Sequence, residues 1–263
     1  MNLRYRIVDV FSDRPLAGNA LCVVLDETPP EAMPRIAREV NLSETTFPTR
    51  TGESTYDNRI FTPAVELPFA GHPTLGTAWV LGPGSWKQTT AGGVVNVEVD
   101  SSGARMLQPV PAFTQTDEAP LARTLGLLSA NGAWLAEAAG LRHLIVVTPQ
   151  PIEDLRPDLR EAGAVAARLD LTTVAVASRP DHAEIHVRVF FPAAGGLAED
   201  PGTGSVAGPI ATLAADQFGA EAAVTIRQGA EIGRPCTIAV EVTPDGPWVG
   251  GDVAACAEGC FTL

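Results

Sequence analysis

Four polar residues have side chains that can move or orient a proton, and three of them lie in two glycine-rich turns. His72 lies in Ala70-Gly-His-Pro73, and Asp200 and Ser205 lie in Glu199-Asp-Pro-Gly-Thr-Gly-Ser205, while Glu44 lies at the boundary between a helical and a strand-like segment. Carboxylates and imidazoles are the usual general acids and bases of enzymes. Neither turn contains a cysteine or a G-x-S-x-G nucleophile elbow, so covalent catalysis has no obvious agent. The sequence therefore predicts proton transfer, with Glu44 as the shuttle and with His72 and Asp200 as orienting groups.

Both turns lead into an apolar segment with helical character, so their backbone N–H groups and a helix N-terminus point at one place. Such an arrangement binds anions. We expect the carboxylate of a small substrate to contact backbone or side-chain groups of Gly71, Gly202, Thr203, Gly204 and Ser205. The alternative is that Asp200 or Ser205 is an ordinary helix N-cap.

The two turns belong to a longer internal duplication. At one common spacing the chain repeats the pairs Arg59/Arg188, Phe61/Phe190, Pro63/Pro192, Ala64/Ala193 and Ala78/Ala207, and at a spacing shorter by one residue His72-Pro73 matches Asp200-Pro201. A single long repeat indicates two related halves rather than a solenoid. At the same spacing Glu44 is matched by Thr173, so the repeat supplies one acid at this position and not two.

Alternating strands and helices predict an α+β fold with two pseudo-symmetric halves, each a curved sheet around a central helix. The expected halves are 1–112 and 113–249, with a last strand at about 250–263 returning to the first half. The Pro-, Thr- and Gln-rich segment from Pro109 to Pro120 is the expected linker. The predicted strands include Tyr5–Phe11, Ala20–Leu25, Arg59–Pro63, Val94–Val99, Leu141–Thr148, Ala223–Gln228 and Thr237–Val242, and the predicted helices Pro29–Val40, Thr74–Leu81 and Pro157–Arg168.

Composition excludes several classes of protein. The chain has 263 residues, of which 45% are hydrophobic, and a formal net charge of −13, which argues against nucleic acid or an anionic membrane as partner. The N-terminus reads as a strand and no apolar run has the length of a membrane helix, which predicts a cytoplasmic protein. The four cysteines have no zinc spacing. In a strand, His182 and His186 would lie on a solvated face with Arg188, so we predict no metal site there.

A nucleotide cofactor is not expected either. The segment Gly202-Thr-Gly-Ser-Val-Ala207 fits G-x-G-x-x-A, but that fingerprint must follow a strand directly and be followed by an acid about 20 residues later. Here about ten residues separate the predicted strand from the glycines, and the next predicted strand ends without an acid. The sequence therefore predicts an enzyme without a cofactor.

Several motifs, in order along the chain, resemble the phenazine-biosynthesis isomerase family, the PhzF-like proteins. They are Asp9-Val-Phe, Gly18-Asn-Ala, Asn41-Leu-Ser-Glu44-Thr-Thr-Phe, Arg59-Ile-Phe-Thr-Pro, Glu66-Leu-Pro-Phe-Ala-Gly-His72-Pro-Thr-Leu-Gly, Glu199-Asp-Pro-Gly-Thr-Gly-Ser205, Gln228-Gly and Gly233-Arg234. The resemblance implies the diaminopimelate-epimerase-like fold, with the active site in a cleft between the halves, and a homodimer. It places the catalytic acid at Glu44 and the substrate-orienting residues at His72, Asp200 and Ser205. Asn19, Gln228 and Gly229 lie in motifs expected to bind substrate. The motif more often has Ala at the position of Gly202.

The resulting hypothesis is a cofactor-independent isomerase that moves a proton within a small unsaturated or cyclic amino or hydroxy carboxylic acid, in the biosynthesis of a specialised metabolite such as an antibiotic. Two alternatives remain open: an activity like that of amino-acid epimerases or racemases, and a small-acid binding protein without catalysis. The epimerases of this fold use a cysteine in each half, which this chain lacks.

Overall fold

The computed structural model describes residues 1–117 and 119–263 and contains two compact units. Unit 1 comprises Met1–Leu107 and Gly250–Leu263, and unit 2 comprises Gln108–Val249. The expected boundaries were 112 and about 250. The proposed linker is wrong in one respect, because a strand at Ala112–Thr116 and the start of a helix at Ala119 lie inside it. In this strand Ala112 pairs with Glu137 and Thr116 pairs with Ala133, so the strand is part of the sheet of unit 2.

Unit 1 is a sheet with one short outer helix and one central helix. Its elements are β1 (Asn2–Val10), β2 (Asn19–Val24), α1 (Met33–Val40), β3 (Glu44–Arg50), β4 (Thr55–Phe61), β5 (Glu66–Leu67), α2 (Gly71–Leu81), β6 (Gly84–Thr90), β7 (Gly93–Val99) and β8 (Gly103–Leu107). The last strand of the chain, β17 (Gly246–Thr262), begins in unit 2, and its larger part pairs antiparallel with β1 in unit 1.

Unit 2 has the elements β9 (Ala112–Thr116), α3 (Ala119–Thr124), β10 (Gly132–Ala138), β11 (Leu141–Thr148), α4 (Leu159–Arg168), β12 (Thr173–Ser178), β13 (Glu184–Ala193), β14 (Gly196–Asp200), α5 (Gly204–Phe218), β15 (Ala223–Gln228), a 3-10 turn (Ala230–Ile232) and β16 (Cys236–Thr243).

The pairing pattern of unit 1 recurs in unit 2. The pairs β2–β3 and β11–β12 are parallel, β3–β4 and β12–β13 are antiparallel, and β4–β6 and β13–β15 are parallel. Glu44 and Thr173 are the first residues of β3 and β12, in agreement with the repeat. The α+β fold with two similar halves is therefore confirmed.

The central helices α2 and α5 explain why each sheet curves. Residues 71–78 of α2 are buried, as is most of α5 up to Ala214, and each helix packs on several strands of its own unit. A helix that is apolar on all sides must be surrounded, whereas the amphipathic outer helices α1 and α4 cover only one sheet face. The outer cores form around Phe61, under α1, and around Phe190, under α3 and α4.

Two details of the sequence reading are corrected by β13 and β14. The strand β14 ends at Asp200, so the glycines follow a strand almost directly and the spacing argument against a dinucleotide site is wrong. However, β14 is the second strand of an antiparallel hairpin with β13, so β14 and α5 do not form the parallel βαβ unit that the fingerprint requires. His182 lies outside β13, and Arg188 is only 6% exposed instead of solvated.

Within the described ranges, no helix combines the length and the apolar character needed to cross a bilayer. In the same part of the chain, no group of three or more His, Cys, Asp or Glu side chains is placed to hold a metal ion.

Candidate active site

Glu44 is placed by the connection from α1 to β3. The helix α1 ends at Asn41, which has left-handed backbone angles (φ 52°) and donates its N–H to the Ala37 carbonyl. The chain then enters β3 at Glu44, which lies beside Leu21 in the parallel strand β2. The Glu44 side chain is 15% exposed. It is thus a largely buried carboxylate at the start of a strand, rather than a solvated loop residue.

His72 contacts Glu44 from the first turn of α2. Its Nε2 lies 3.2 Å from Glu44 Oε2, and its side chain is 6% exposed. Burial lowers the pKa of His72 to about 3, and a hydrogen bond with the backbone of Ala20 opposes this shift only in part. A backbone interaction that raises an imidazole pKa is one in which a ring N–H donates to a carbonyl. The ring is therefore neutral near pH 7 and donates one N–H to Ala20.

Asn19 lies beside Ala20 and directly after a turn that a buried carboxylate stabilises. Asp9 is 1% exposed, and its Oδ2 accepts a hydrogen bond from the Leu16 N–H at 2.7 Å. Gly18 has a φ of 67°, and a Cβ there would lie 2.5 Å from the Val10 carbonyl oxygen, so only glycine fits. These contacts show that the motif residues Asp9 and Gly18 stabilise the turn before β2. They place Asn19, which is fully buried, at the first position of β2.

In unit 2, Asp200 is part of a hydrogen-bonded group with Thr203 and Gln228. The Thr203 hydroxyl donates to Asp200 Oδ2, and the Thr203 N–H donates to Gln228 Oε1 at 3.1 Å. Gln228 Nε2 donates to the Asp200 carbonyl at 2.7 Å and to Thr203 Oγ1 at 3.0 Å. The structure thus brings three of the predicted site residues together at the start of α5.

The predicted anion site lies around the same helix start. Thr203 is the N-cap residue of α5, yet its side chain does not cap the helix, because its hydroxyl is bonded to Asp200. Neither Asp200 nor Ser205 is the N-cap, so that alternative is wrong. Gly202 and Gly204 are buried, and Ser205 is half-buried as the second residue of the helix.

Gly229 connects this turn with the end of β15. It has a φ of 81°, and a Cβ there would lie 2.4 Å from both the Pro201 and the Arg234 carbonyl oxygens. The backbone at Pro201 and the backbone at Gly229 are therefore in direct contact, and a side chain would separate them.

The predicted equivalence of His72 and Asp200 is wrong. His72 is the second residue of α2, the position that Ser205 occupies in α5, and Gly71 corresponds to Gly204. Asp200 ends β14 and precedes its helix. The cause is the hairpin, since the paired residues Phe61 and Glu66 are five positions apart whereas the paired residues Phe190 and Glu199 are nine positions apart. Residues before and after the hairpin therefore repeat at different spacings.

One repeated feature of the two hairpins was not predicted from the sequence. Arg59 forms two hydrogen bonds with Glu66, and Arg188 forms the same two with Glu199, all between 2.7 and 2.8 Å. The strand partners of Glu66 and Glu199 are Phe61 and Phe190. The sequence contains a signal for these bridges, because a glutamate precedes each glycine-rich turn and an arginine begins each matched segment. In unit 2 this bridge holds the residue directly before Asp200.

Comparison with known proteins shows the family of this chain. The model of a family described as phenazine biosynthesis-like protein, PhzC-PhzF, matches residues 8–252. The trans-2,3-dihydro-3-hydroxyanthranilate isomerase of Pseudomonas fluorescens is 38% identical over 252 residues, which cover 88% of this chain and 87% of that protein.

Solved structures show the same fold. A phenazine biosynthesis protein of the PhzF family from Enterococcus faecalis superposes with a TM-score of 0.84 at 28% identity, over 100% of both chains. A hydroxyproline epimerase from Agrobacterium vitis has a TM-score of 0.62 at 13% identity, over 99% of this chain and 91% of that one, which is a likeness of fold alone. The family match over most of the chain, together with the named relatives, shows that this protein belongs to the phenazine biosynthesis-like PhzC-PhzF family and is an isomerase.

Proposed function

We propose that this enzyme moves a proton within a small unsaturated or cyclic amino or hydroxy carboxylic acid, in the biosynthesis of a specialised metabolite. The observation that carries the proposal is the 3.2 Å approach of Glu44 Oε2 to His72 Nε2. The similarity to a trans-2,3-dihydro-3-hydroxyanthranilate isomerase supports a substrate of this class.

The two side chains suit a proton shuttle because the imidazole is neutral. With one ring N–H donated to Ala20, the other nitrogen presents a lone pair. Two lone pairs at 3.2 Å repel, so the contact with Glu44 becomes favourable when the carboxyl group carries a proton. His72 therefore stabilises and orients the acid form of Glu44, the form that exists between removal of a proton and its return.

The reaction needs no further component to balance. The Glu44 carboxylate removes a proton from a carbon of the substrate, and the electron pair of that C–H bond shifts through the conjugated system. The electrons then form a new C–H bond with the same proton at another carbon. Because Thr173 occupies the position of Glu44 in the second unit, the repeat supplies one carboxylate at this position, which favours a same-face shift over an inversion.

The residues at the start of α5 are proposed to hold the substrate. The backbone of Gly202, Gly204 and Ser205 at the first turn of the helix suits a carboxylate, and Asp200 suits an amino or hydroxyl group. Gly71 and Asn19 lie next to His72 and to its partner Ala20, respectively, and are assigned to substrate contact for that reason.

An isotope experiment tests this function against both alternatives. Trans-2,3-dihydro-3-hydroxyanthranilate, deuterated at its sp³ ring carbons, is incubated with the enzyme in light water and analysed by NMR. A shuttle gives an isomer with deuterium on a carbon that carried none. An epimerase instead loses deuterium to solvent at the original carbon without isomerisation. A binding protein leaves the labelled compound unchanged, and either of these last two results would contradict the proposal.

A further inference from the structure

We propose that Thr203 and Gln228 are positioning residues that fix the Asp200 carboxylate, and that they do not themselves bind the substrate. This inference rests on the proposed function, in which Asp200 orients the substrate. It reassigns two residues that the sequence motifs place among the substrate contacts.

Both polar atoms of the Gln228 amide have partners within the protein. Gln228 is 2% exposed, and its Oε1 accepts the Thr203 N–H. Its Nε2 donates to the Asp200 carbonyl and to Thr203 Oγ1. A backbone N–H can only donate and a backbone carbonyl can only accept, so these two partners determine which way the amide faces. Both amide hydrogens are then engaged.

The orientation of Gln228 determines the direction of the Thr203 hydroxyl bond. Thr203 Oγ1 accepts from Gln228 Nε2, so its one proton points elsewhere. That proton is donated to Asp200 Oδ2. Asp200 Oδ2 is therefore an acceptor as long as this chain of bonds persists. A carboxylate that accepts a hydrogen bond from a fixed donor is held in one rotamer.

Burial supports a positioning role over a binding role. Thr203 is 9% exposed and Gln228 is 2% exposed, and their polar side-chain atoms are already paired within the turn. Every donor hydrogen of the two side chains is engaged, so a substrate acceptor such as a carboxylate would have to break one of these bonds to form its own. The close approach at Gly229 and the Arg188–Glu199 bridge hold the two sides of the turn in place.

The test compares Thr203→Val with Thr203→Ser. Valine has the shape of threonine but no hydroxyl, so Asp200 loses its fixed donor, whereas serine keeps it. With trans-2,3-dihydro-3-hydroxyanthranilate as substrate, we expect Thr203→Val to lower kcat/KM by about 10- to 100-fold, as for the loss of a charge-assisted hydrogen bond. Thr203→Ser should stay within about threefold of the wild type. The control is Thr212→Val in α5. The Thr212 hydroxyl donates only to the Gly208 carbonyl at 3.0 Å, so removal of this hydroxyl should not change kcat/KM.

A double-mutant cycle shows whether Thr203 acts through Asp200. In an Asp200→Asn background, Thr203→Val should lower kcat/KM by no more than about twofold further, because the group that it orients has already been changed. Full multiplication of the two effects would overturn the inference. So would a wild-type kcat/KM for Thr203→Val while Asp200→Asn is impaired. A harmless Asp200→Asn would instead refute the role of Asp200 in the proposed function.

A crystal structure of Thr203→Val gives a readout without turnover. The inference requires the Asp200 carboxylate to adopt a different rotamer or several, and an unchanged, well-ordered carboxylate would overturn it. If Thr203→Val does not fold, Gln228→Met serves in its place, since it removes the amide with little change in length and should show the same lack of additivity with Asp200→Asn.

Discussion

The two arginine–glutamate bridges permit a comparison of one interaction in two environments. Arg59 and Glu66 are 41% and 43% exposed at their side chains, whereas Arg188 and Glu199 are 7% and 10% exposed. The hydrogen-bond geometry is the same in both pairs. We therefore expect Arg59→Met and Arg188→Met to differ in their effect on stability because of burial.

The magnitudes follow from solvation. Loss of a surface ion pair costs about 0–1 kcal/mol, which is the expectation for Arg59→Met. Loss of one partner of a buried pair leaves an uncompensated charge and costs about 3–5 kcal/mol. Arg188 also donates to the Ile152 and Leu155 carbonyls at 3.3 and 3.0 Å, and both would lose this donor. We expect Arg188→Met to lower the free energy of unfolding by at least about 3 kcal/mol.

The assay is urea unfolding at pH 7 followed by circular dichroism. The double variant Arg188→Met/Glu199→Gln is the control, because it removes the buried negative charge and should recover part of the loss. Equal losses for Arg59→Met and Arg188→Met, or no recovery in the double variant, would refute the reasoning from burial.

Three further predictions concern buried histidines and the Gly229 turn. Burial lowers the pKa of His143 to about 4 and that of His72 to about 3, so only the unfolded chain binds these protons between about pH 6.5 and 4. The stability that each neutral imidazole contributes is complete above about pH 6.5 and falls by roughly 2 kcal/mol per histidine at pH 5. Urea unfolding at pH 7 and 5 should show this loss reduced in His143→Asn, and an unchanged pH dependence would contradict it. Gly229→Ala should cost roughly 2–4 kcal/mol of unfolding free energy, because its φ and its two close carbonyls exclude a Cβ, and a wild-type urea midpoint would argue against that packing. His72→Ala should raise KM and lower kcat together in steady-state assays, and an unaffected kcat would remove His72 from the proton-transfer step.

Much of the fold could be predicted from the sequence because its signals are local. The internal repeat predicted strands such as Leu141–Thr148, which parallels the second strand of the chain and which the structure has at the same bounds. The matched arginines and phenylalanines revealed the repeat, and they do so because both hairpins use them for the same contacts. The pairing of Glu44 with Thr173 depends only on segments of equal length before the hairpin, so it is reproduced in the structure.

What could not be predicted depends on strand pairing and burial. The alignment of His72 with Asp200 relied on similar glycine turns, but the longer second hairpin shifts the spacing, and only the pairing of Phe190 with Glu199 shows it. Alternation placed Arg188 on the solvated face of β13, since nothing local indicates that Glu199 and the segment around Ile152 cover it. The bonds of Thr203 and Gln228 likewise join residues far apart in the chain.

The central claim is that Glu44 is the group that removes and returns the proton, and Glu44→Gln tests it most directly. Glutamine keeps the size and hydrogen-bonding reach of the side chain but cannot act as a base. With trans-2,3-dihydro-3-hydroxyanthranilate, we expect Kd close to that of the wild type and kcat reduced by at least ~10²-fold. Glu66→Gln, which weakens only the exposed bridge to Arg59, is the matched control and should keep its kcat. A Glu44→Gln enzyme that turns over at a near wild-type rate would contradict the proposed mechanism.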